Sequence, residues 1–537
     1  MHEQTKVEWR EWGAAAFADA ERAGKPILLS LSVPWSPECA AMDENTYSEP
    51  RIAAHINDGF VPIRVDADRR PQIRDRYTMG GFPSTVFLTP SGRVLTGATY
   101  LGIDGFRDIL DTVRKSWDGK GESGGSVPRQ LRETDPPGGS LSPRIEELMI
   151  EQLLAAYDEE YGGWGSDVKF PLPRTIEFAL VRARDQATRT MEAVRTHLLD
   201  TYDGGFYRYA TERDWSNPRR AKLLDDNAAL VRAFAHGYRY TGAESYRETA
   251  ERTVEYLTTT LWTDDAPCAS GAFAASQAGE ARYYRLEATE REDTAPPPVD
   301  DTVLTDRNAL AIDGLLTYYA YVGDERSRRY AERALDTVTE LVDAKGIVSH
   351  HPGDDAPQGH LLDQARVLTG LTTAWQVLGE SGPAREVADW TIEHLAEDGR
   401  IRDAPAGEVG LLDRPLYPLD YAVEFADALL DLAVLTDDST YREIARETLT
   451  TYADAADRMG VEAAGYATTV ARALDLRTIR VGPTAGTDLH RAALRLADHE
   501  TVVVPGDGGE VATVFEDSSK VGMAATPAEL EALITEA

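Results

Sequence analysis

The chain has 537 residues and carries 91 acidic against 56 basic side chains, which gives a formal net charge of −35. That length exceeds what one hydrophobic core supports, so we expect two or three domains. The excess of negative charge argues against nucleic acid and anionic membranes as ligands, because both repel an acidic surface.

Lysine is scarce in this sequence, and arginine supplies most of the positive charge. Only eight of the 56 basic residues are lysine. Concentrated salt screens the self-repulsion of an acidic surface and so favours such a composition. We therefore predict a protein from a halophile that requires high salt.

The cysteines and the apolar segments indicate the compartment. Cys39 and Cys268 are the two cysteines and lie far apart in sequence, so no disulfide framework is expected. The N-terminus has no apolar signal core, and no uninterrupted apolar run approaches the ~20 residues of a membrane span. We predict a cytoplasmic protein with no membrane partner.

Residues 1–118 predict an α/β domain. A helix over 14–23 precedes a buried strand at 27–32, and a second strand follows at 60–66. Two further strands and a helix over 105–117 complete the domain. This order of elements is typical of a thioredoxin-like fold.

Residues 119–142 predict a linker, because they are rich in glycine, proline and serine and have no periodicity. The region 143–475 that follows is helical throughout. Its apolar spacing predicts about twelve helices, at 143–157, 173–184, 187–201, 223–241, 243–261, 305–321, 325–343, 360–378, 383–397, 418–435, 439–456 and 460–474.

The breaks between these helices alternate in length. Short breaks at 240–243 and 321–324 each end one helix and start the next, whereas longer breaks such as 160–164 and 203–206 are rich in glycine and aromatic residues. This alternation indicates six repeated helical hairpins, which form either an open solenoid or a closed ring. Residues 476–537 alternate short strands and helices and predict a small α/β cap.

Several motifs in both halves of the chain are specific. They are 25–27 (Lys-Pro-Ile), 65–66 (Val-Asp), 80–83 (Gly-Gly-Phe-Pro), 86–92 (Val-Phe-Leu-Thr-Pro-Ser-Gly), 169–171 (Lys-Phe-Pro), 203–210 (Asp-Gly-Gly-Phe-Tyr-Arg-Tyr-Ala), 226–228 (Asp-Asn-Ala) and 362–365 (Leu-Asp-Gln-Ala). Together they resemble the DUF255 family, which includes the spermatogenesis-associated thioredoxin-like proteins. The resemblance implies a multidomain protein with a thioredoxin-like α/β domain and a closed (α/α)6 ring like that of six-hairpin glycosidases and sugar epimerases.

The chain departs from this family at the redox loop. Where the family has Cys-His-Trp-Cys, residues 36–39 read Ser-Pro-Glu-Cys. Dithiol exchange needs an attacking thiolate at the first position, and the hydroxyl of Ser36 cannot form a mixed disulfide. By resemblance, Pro83 is expected to be cis and to face the loop. We predict that Ser36, Cys39 and Pro83 are the remnant of a redox site and that Cys39 is buried and inert.

The resemblance implies a closed ring, and a closed ring places its long loops together at one end, the mouth. We predict a pocket for a carbohydrate-like molecule at this mouth. Sugar chemistry needs a group that donates or accepts a proton and aromatic faces on which sugars stack. The candidate catalytic carboxylates are Asp225, Asp226, Asp301 and Asp363, with Asp300 beside them. The candidate ligand-binding residues are Trp164, Lys169, Phe206, Arg208, Trp215, Lys222, Asn227 and Tyr417. A helix cap or a solvated surface is the competing interpretation for each carboxylate.

Two further observations weaken the case for a specific reaction. The family motif Pro-His-Phe-Glu-Lys-Met is replaced at 218–223 by Pro-Arg-Arg-Ala-Lys-Leu, which removes its histidine and glutamate. His350, His351 and His360 lie near one mouth loop but have no carboxylate at a fixed helical spacing, so we predict no metal, and we predict no cofactor.

Three hypotheses therefore stay open at the level of sequence. The first is a ring that binds a carbohydrate-like small molecule and isomerises or hydrolyses it. The second is a non-catalytic binding or scaffold protein with a protein partner. The third is a redox accessory protein that uses Cys39 alone.

Overall fold

The computed structural model describes residues 6–132, 134–264, 270–517 and 519–536, so Cys268 lies outside the described residues. None of the helices in these ranges combines the length and the apolar character that crossing a membrane requires. The chain forms two compact units. Unit 1 comprises Met1–Asp135, Ala278–Glu280 and Arg402–Leu416, and unit 2 comprises Pro136–Gln277, Ala281–Ile401 and Tyr417–Ala537.

Unit 1 has a four-stranded sheet covered by helices. Its elements are α1 (Ala14–Ala23), β1 (Ile27–Ser32), α2 (Pro37–Ala41), α3 (Pro50–Gly59), β2 (Val61–Asp66), α4 (Pro71–Tyr77), β3 (Ser84–Leu88), β4 (Val94–Ala98) and α5 (Ile103–Lys120). The strand order is β2-β1-β3-β4, with β1 parallel to β2 and antiparallel to β3. This topology confirms the predicted thioredoxin-like fold.

The core of unit 1 follows from the apolar pattern of its elements. β1 is buried along nearly its whole length, as its continuous apolar run predicts for a central strand. The helix α5 buries Phe106, Leu110 and Val113, whose spacing places them on one face. Sheet and helix thus bury one shared core.

The structure differs from the prediction of a linker that begins at residue 119. Gly121–Gly124 and Arg129–Leu131 form short helical turns, and the backbone N–H of Ser126 donates to the carbonyl oxygen of Val94 at 2.9 Å. Glycine and proline therefore mark tight turns that pack in unit 1 here. Unit 1 also takes in Arg402–Leu416, which we had placed in the helical region.

Unit 2 contains the predicted helices, with edges within a few residues of those expected. They are α6 (Arg144–Ala156), α7 (Pro173–Arg182), α8 (Arg184–His197), α9 (Leu224–Thr241), α10 (Glu244–Tyr256), α11 (Ala288–Glu292), α12 (Thr305–Val322), α13 (Glu325–Glu340), α14 (Leu361–Leu378), α15 (Ala384–Leu395), α16 (Leu419–Thr436), α17 (Ser439–Thr450) and α18 (Ala464–Leu474). The five-residue α11 lies in a loop and was not predicted.

Six of these helices form a closed inner ring. Each of α7, α9, α12, α14, α16 and α18 contacts the next, and α18 contacts α7. The inner helix α12 is buried on nearly all sides, whereas the outer helix α13 buries a single stripe that includes Ala331, Leu335 and Val338. The structure therefore decides for the closed ring over the solenoid.

The loops between these helices contain short strands. The two-residue strands in the described part of unit 2 are β5 (Tyr209–Ala210), β6 (Pro218–Arg219), β7 (Lys222–Leu223), β8 (Trp262–Thr263), β9 (Ala272–Phe273), β10 (Ser276–Gln277), β11 (Val299–Asp300), β12 (Ala396–Glu397) and β13 (Arg400–Ile401). Inner helices end at glycines with left-handed backbone, such as Gly242 (φ 68°) and Gly323 (φ 78°), as the predicted tight breaks require.

The C-terminal segment repeats the sheet topology of unit 1. Its elements are β14 (Arg477–Val481), α19 (Asp488–Leu496), β15 (Thr501–Pro505), β16 (Ala512–Glu516), β17 (Ser519–Ala524) and α20 (Pro527–Glu536). The order is β15-β14-β16-β17, with β14 parallel to β15 and antiparallel to β16, which is the arrangement of β2-β1-β3-β4. The predicted α/β cap is thus a second small thioredoxin-like sheet.

Candidate functional site

The first turns of neighbouring inner helices converge on one end of the ring. The Nε atom of Arg307 on α12 lies 3.9 Å from Oδ1 of Asp225 on α9. On α14, the Nη1 atom of Arg366 lies 2.9 Å from Oδ2 of Asp306 on α12, and its Nε atom lies 3.2 Å from Glu424 on α16. We call this group the mouth cluster and define it as Asp225, Asp226, Asp306, Arg307, His350, Asp363, Arg366 and Glu424.

Asp226 is a member of the mouth cluster whose pKa is strongly raised. Burial and then repulsion by Asp225 raise its pKa to about 7, although Arg208, Arg307 and Arg366 act in the opposite direction. The Nε atom of Arg208 lies 3.7 Å from Oδ2, and that oxygen makes no hydrogen bond within the described residues. The side chain of Asp226 as a whole is 32% exposed, whereas the oxygen without a hydrogen bond is itself buried.

Glu424 shows the opposite balance. Burial acts to raise its pKa, but attraction to Arg366 and Arg174 outweighs burial, so the pKa lies below its usual range. The Nε atom of Arg174 lies 3.7 Å from Oε1 of Glu424. Glu424 is therefore a charged anchor for two arginines, whereas Asp226 can change its protonation state near neutral pH.

His350 and Asp363 form a buried pair within the mouth cluster. The Nδ1 atom of His350 lies 2.9 and 3.0 Å from the two carboxylate oxygens of Asp363. The backbone N–H of Thr305, at the start of α12, donates to the carbonyl oxygen of His350 at 2.9 Å. This bond fixes the loop that carries His350 against the neighbouring inner helix.

A separate polar cavity lies along the inner helices, and no residue of the mouth cluster lines it. It has about 150 Å³ of space open to the centres of water molecules, enough for several waters. Arg232 bonds Glu177 at 2.8 Å and Asp313 at 2.6 Å, and Arg472 bonds Asp427 at 2.5 Å. His499 and other residues of the C-terminal segment also line the cavity.

The predicted aromatic platforms Trp164, Phe206 and Trp215 do not face a ligand pocket. Their exposures are 2%, 0% and 1%, so they are core residues. The indole N–H of Trp215 donates to the carbonyl oxygen of Tyr161 at 3.1 Å, and a Cβ atom at Gly163 would lie 2.6 Å from the Trp215 ring. The prediction of ligand stacking on these three rings was wrong, because the loops fold around them.

The predicted ligand residues Lys169 and Lys222 are also buried, each with an aspartate and a carbonyl oxygen. Lys169 donates to Asp158 at 2.8 Å and to the carbonyl oxygen of Gly165 at 2.8 Å. Lys222 donates to Asp200 at 2.9 Å and to the carbonyl oxygen of Gly204 at 2.6 Å. Their ammonium groups are satisfied by the protein itself, so the two lysines stabilise loops and do not bind ligand.

Asn227 has a structural role that recurs around the ring. Its Oδ1 atom accepts from the backbone N–H of Phe206 at 2.6 Å, and its Nδ2 atom donates to the carbonyl oxygens of Phe206 and Leu223. Asn308 does the same with Phe273, and Gln364 accepts from the N–H of Val348. These amides clamp the preceding loop onto an inner helix, which corrects the ligand-binding role predicted for Asn227.

The remaining predicted residues divide between the mouth cluster and the surface. Asp225, Asp226 and Asp363 are in the cluster, and Arg208 adjoins it. Tyr417 is half-buried, bonds Glu397 through its hydroxyl and has the Arg400 guanidinium 4.1 Å from its ring centre. Asp300 accepts from the side chain of Thr302 at 2.8 Å, and Asp301 is exposed in the loop before α12.

Several residues of the site were missed from the sequence. They are Asp306, Arg307, Arg366 and Glu424, whereas His350 was noted near a mouth loop but was given no role. A usable signal was the occurrence of polar residues seven positions apart on otherwise apolar helices, as in Asp306 and Asp313. Seven residues are about two helical turns, so both side chains point to the same face, here the axis of the ring.

The redox remnant in unit 1 has no exposed thiol. The Ser36 hydroxyl caps α2 by accepting from the backbone N–H of Cys39 at 3.3 Å. Burial raises the pKa of Cys39, whose exposure is 4%. The Phe82–Pro83 peptide bond is cis, as expected.

Comparisons with known proteins agree with this architecture. Residues 1–133 match the family model described as "Protein of unknown function, DUF255". Human spermatogenesis-associated protein 20 is 28% identical over 302 residues, which cover 49% of this chain and 38% of that protein. This chain thus matches less than half of the length of that relative.

Among solved structures, cellobiose 2-epimerase from Spirochaeta thermophila has a TM-score of 0.44 and 16% identity, covering 57% of this chain and 85% of that one. D-mannose isomerase has a TM-score of 0.44 and 12% identity, covering 61% and 86%. Likenesses this low carry no information about the substrate. Residues 1–133 thus match the DUF255 family model, and the chain combines a unit of thioredoxin-like fold with a six-hairpin helical ring.

Proposed function

We propose that the mouth cluster binds a small polyhydroxylated, carbohydrate-like molecule and that Asp226 exchanges a proton with it. One observation carries the proposal. Burial and repulsion by Asp225 raise the pKa of Asp226 to about 7, its side chain is 32% exposed, and its buried Oδ2 atom has no hydrogen bond within the described residues. A carboxyl group with such a pKa donates or accepts a proton with comparable ease at neutral pH, as isomerisation and hydrolysis of sugars require.

The charges around Asp226 support a ligand rich in hydroxyl groups. Carboxylates of Asp225 and Asp306 alternate with the guanidinium groups of Arg307 and Arg366. Charged groups form strong hydrogen bonds, and a hydroxyl group both donates to a carboxylate and accepts from a guanidinium. A sugar-like molecule therefore complements both signs of charge at once.

Binding without turnover is the second candidate function. It is favoured by the burial of Trp164, Phe206 and Trp215, which removes the aromatic faces that carbohydrate enzymes commonly offer. In this case the ring recognises a ligand, or a protein that presents one, and Asp226 contributes only to affinity. The two candidates differ in whether a bound sugar changes chemically.

The first test is thermal unfolding of the full chain in molar KCl with a panel of mono- and disaccharides. We expect at least one sugar to raise the unfolding midpoint, because a ligand at 100 times its Kd adds about 2.7 kcal/mol. The shift should shrink in Asp226→Asn and persist in the matched control Asp301→Asn, whose carboxylate is exposed. A folded protein whose midpoint no sugar changes would contradict the proposal.

We also propose that unit 1 is not a dithiol oxidoreductase. Ser36 occupies the attacking position and caps a helix, while the thiol of Cys39 is buried with a raised pKa. An insulin-reduction assay with dithiothreitol should give no rate above buffer. A rate that disappears in Cys39→Ser would instead support the one-thiol redox hypothesis.

A further inference from the structure

We propose that Asp306, His350 and Asp363 bind one divalent transition-metal ion such as Mn²⁺ or Zn²⁺. The sequence had predicted no metal, since the histidines had no carboxylate at a fixed spacing. In the fold, one potential ligand atom from each residue lies within 4.8 Å of the others. Exposures of 5%, 4% and 0% make this a buried cluster, drawn from two inner helices and the loop between them.

The pair of His350 and Asp363 already has the spacing of neighbouring metal ligands. Its Nδ1–oxygen distances are 2.9 and 3.0 Å. Two ligands at right angles on an octahedral ion such as Mn²⁺, with bonds of about 2.1 Å, lie about 3.0 Å apart. Imidazole combined with carboxylates is a ligand set that suits zinc and manganese.

Asp306 supplies an independent observation that points to a bound cation. Its side chain is 8% exposed, and its Oδ1 atom is buried with no hydrogen-bond partner within the described residues. A buried carboxylate oxygen without a partner destabilises the folded state, because it has lost its hydrogen bonds to water. A cation beside His350 and Asp363 would remove that destabilisation.

The backbone holds the three residues together without a metal. The N–H of Thr305 donates to the carbonyl oxygen of His350 at 2.9 Å, and the Thr305 hydroxyl donates to that of Ser349 at 2.5 Å. These bonds tie the His350 loop to the residue before Asp306. A site organised in this way loses less conformational entropy when it binds.

Arg366 is the competing cation in this cluster. It bonds Asp306 at 2.9 Å and also contacts Glu424 at 3.2 Å, so it keeps an anionic partner when Asp306 turns to a metal. Removing this charge should favour the metal. Arg366→Gln is therefore expected to bind the ion at least tenfold more tightly than the wild type does. A tenfold change in Kd corresponds to about 1.4 kcal/mol of binding free energy.

The test is metal binding by the full chain after treatment with EDTA, with Mn²⁺ and Zn²⁺ added separately. Equilibrium dialysis should find one ion per chain, and the thermal midpoint should rise. His350→Ala and Asp306→Asn should each weaken binding at least tenfold, whereas the exposed control Asp301→Asn should not. No sugar is present, so this outcome is separate from that of the proposed function.

Wild-type protein alone provides a second measurement in case a variant fails to fold. Bound Co²⁺ should give visible absorption bands typical of nitrogen and oxygen ligands, and one equivalent of Zn²⁺ should abolish them. Absence of binding at 100-fold molar excess of Mn²⁺ and Zn²⁺ would overturn the proposal. Binding that is undiminished in folded His350→Ala and Asp306→Asn would also overturn it.

Discussion

At the scale of the residue, Lys222 and Asp226 show that the hydrogen-bond partners of a charged side chain indicate its role better than its burial does. Lys222 is fully buried, yet Asp200 and the carbonyl oxygen of Gly204 satisfy it at 2.9 and 2.6 Å. Asp226 is more exposed, but the Arg208 Nε atom 3.7 Å away is too distant for a hydrogen bond. The lysine therefore stabilises a loop, while the carboxyl is left to titrate.

The raised pKa of Asp226 makes stability depend on pH. The unfolded group ionises near 3.8 and the folded group near 7, so the folded state retains its proton over this interval. The contribution of this carboxyl group to the free energy of unfolding is therefore fully present below about pH 4 and is lost as the pH rises to about 7.

An amide does not ionise, so Asp226→Asn should not lose stability in this way. The difference in unfolding free energy between the variant and the wild type should therefore grow in favour of the variant from pH 4 to 7 and then level off. We expect about 1–3 kcal/mol at pH 8, less than the full shift implies, because part of the side chain reaches solvent. Urea titrations at fixed KCl across this range measure it. An advantage that is constant with pH would contradict the raised pKa.

Asp226 was predictable from the sequence, but its environment was not. The Asp-Asn-Ala motif singled out the residue, and its neighbour Asp225 is adjacent in the chain. Arg307 and Arg366 reach it only because α12 and α14 follow α9 around the ring. The pKa of Asp226 depends on residues that are distant in sequence and come close only in the closed ring. Local sequence patterns do not reveal such neighbours.

The clamp between a loop and an inner helix is the recurrent device at the scale of the element. Asn227, Asn308 and Gln364 each occupy the fourth residue of an inner helix and bond the backbone of the preceding loop. Asn227, which belongs to the family-like motif Asp-Asn-Ala, therefore stabilises the fold. A motif match alone did not separate this role from ligand binding.

Asn308→Ala tests the clamp. The change removes bonds to the N–H and carbonyl oxygen of Phe273, at 2.8 and 3.0 Å, and to the carbonyl oxygen of Leu304 at 3.0 Å. Because buried backbone groups lose their partners, we expect a loss of about 2–4 kcal/mol in unfolding free energy. The exposed control Glu248→Ala should change it by less than about 0.5 kcal/mol. Equal effects in the two variants would show that the amide is not a clamp.

Helices were predictable because they are long and periodic. The segment predicted at 305–321 is Thr305–Val322 in the structure, and that at 360–378 is Leu361–Leu378. β17 was missed because Ser519–Ala524 is largely exposed and lacks alternation of apolar and polar residues. Glycine-rich sequence after residue 119 gave turns within unit 1, since composition alone does not separate a packed turn from a linker.

Ring closure creates the candidate site at the scale of the whole molecule. The contact of α18 with α7 encloses an axis lined by ionisable residues from five of the inner helices and by uncharged polar residues of α14. Local sequence patterns do not indicate which polar residues pair across helices, such as Arg366 with Asp306. Tertiary pairing of this kind depends on the order and spacing of helices around the ring.

The most direct measurement is chemical change in a sugar held at the mouth cluster. Sugars that stabilise the full chain are incubated with it in molar KCl made with D₂O and followed by proton NMR. The wild type should isomerise, epimerise or hydrolyse at least one of them, with a rate that changes around pH 7. Asp226→Asn should slow the reaction at least 100-fold, and Asp301→Asn should not. Sugars that bind without any chemical change, or equal rates in wild type and Asp226→Asn, would contradict proton exchange by Asp226.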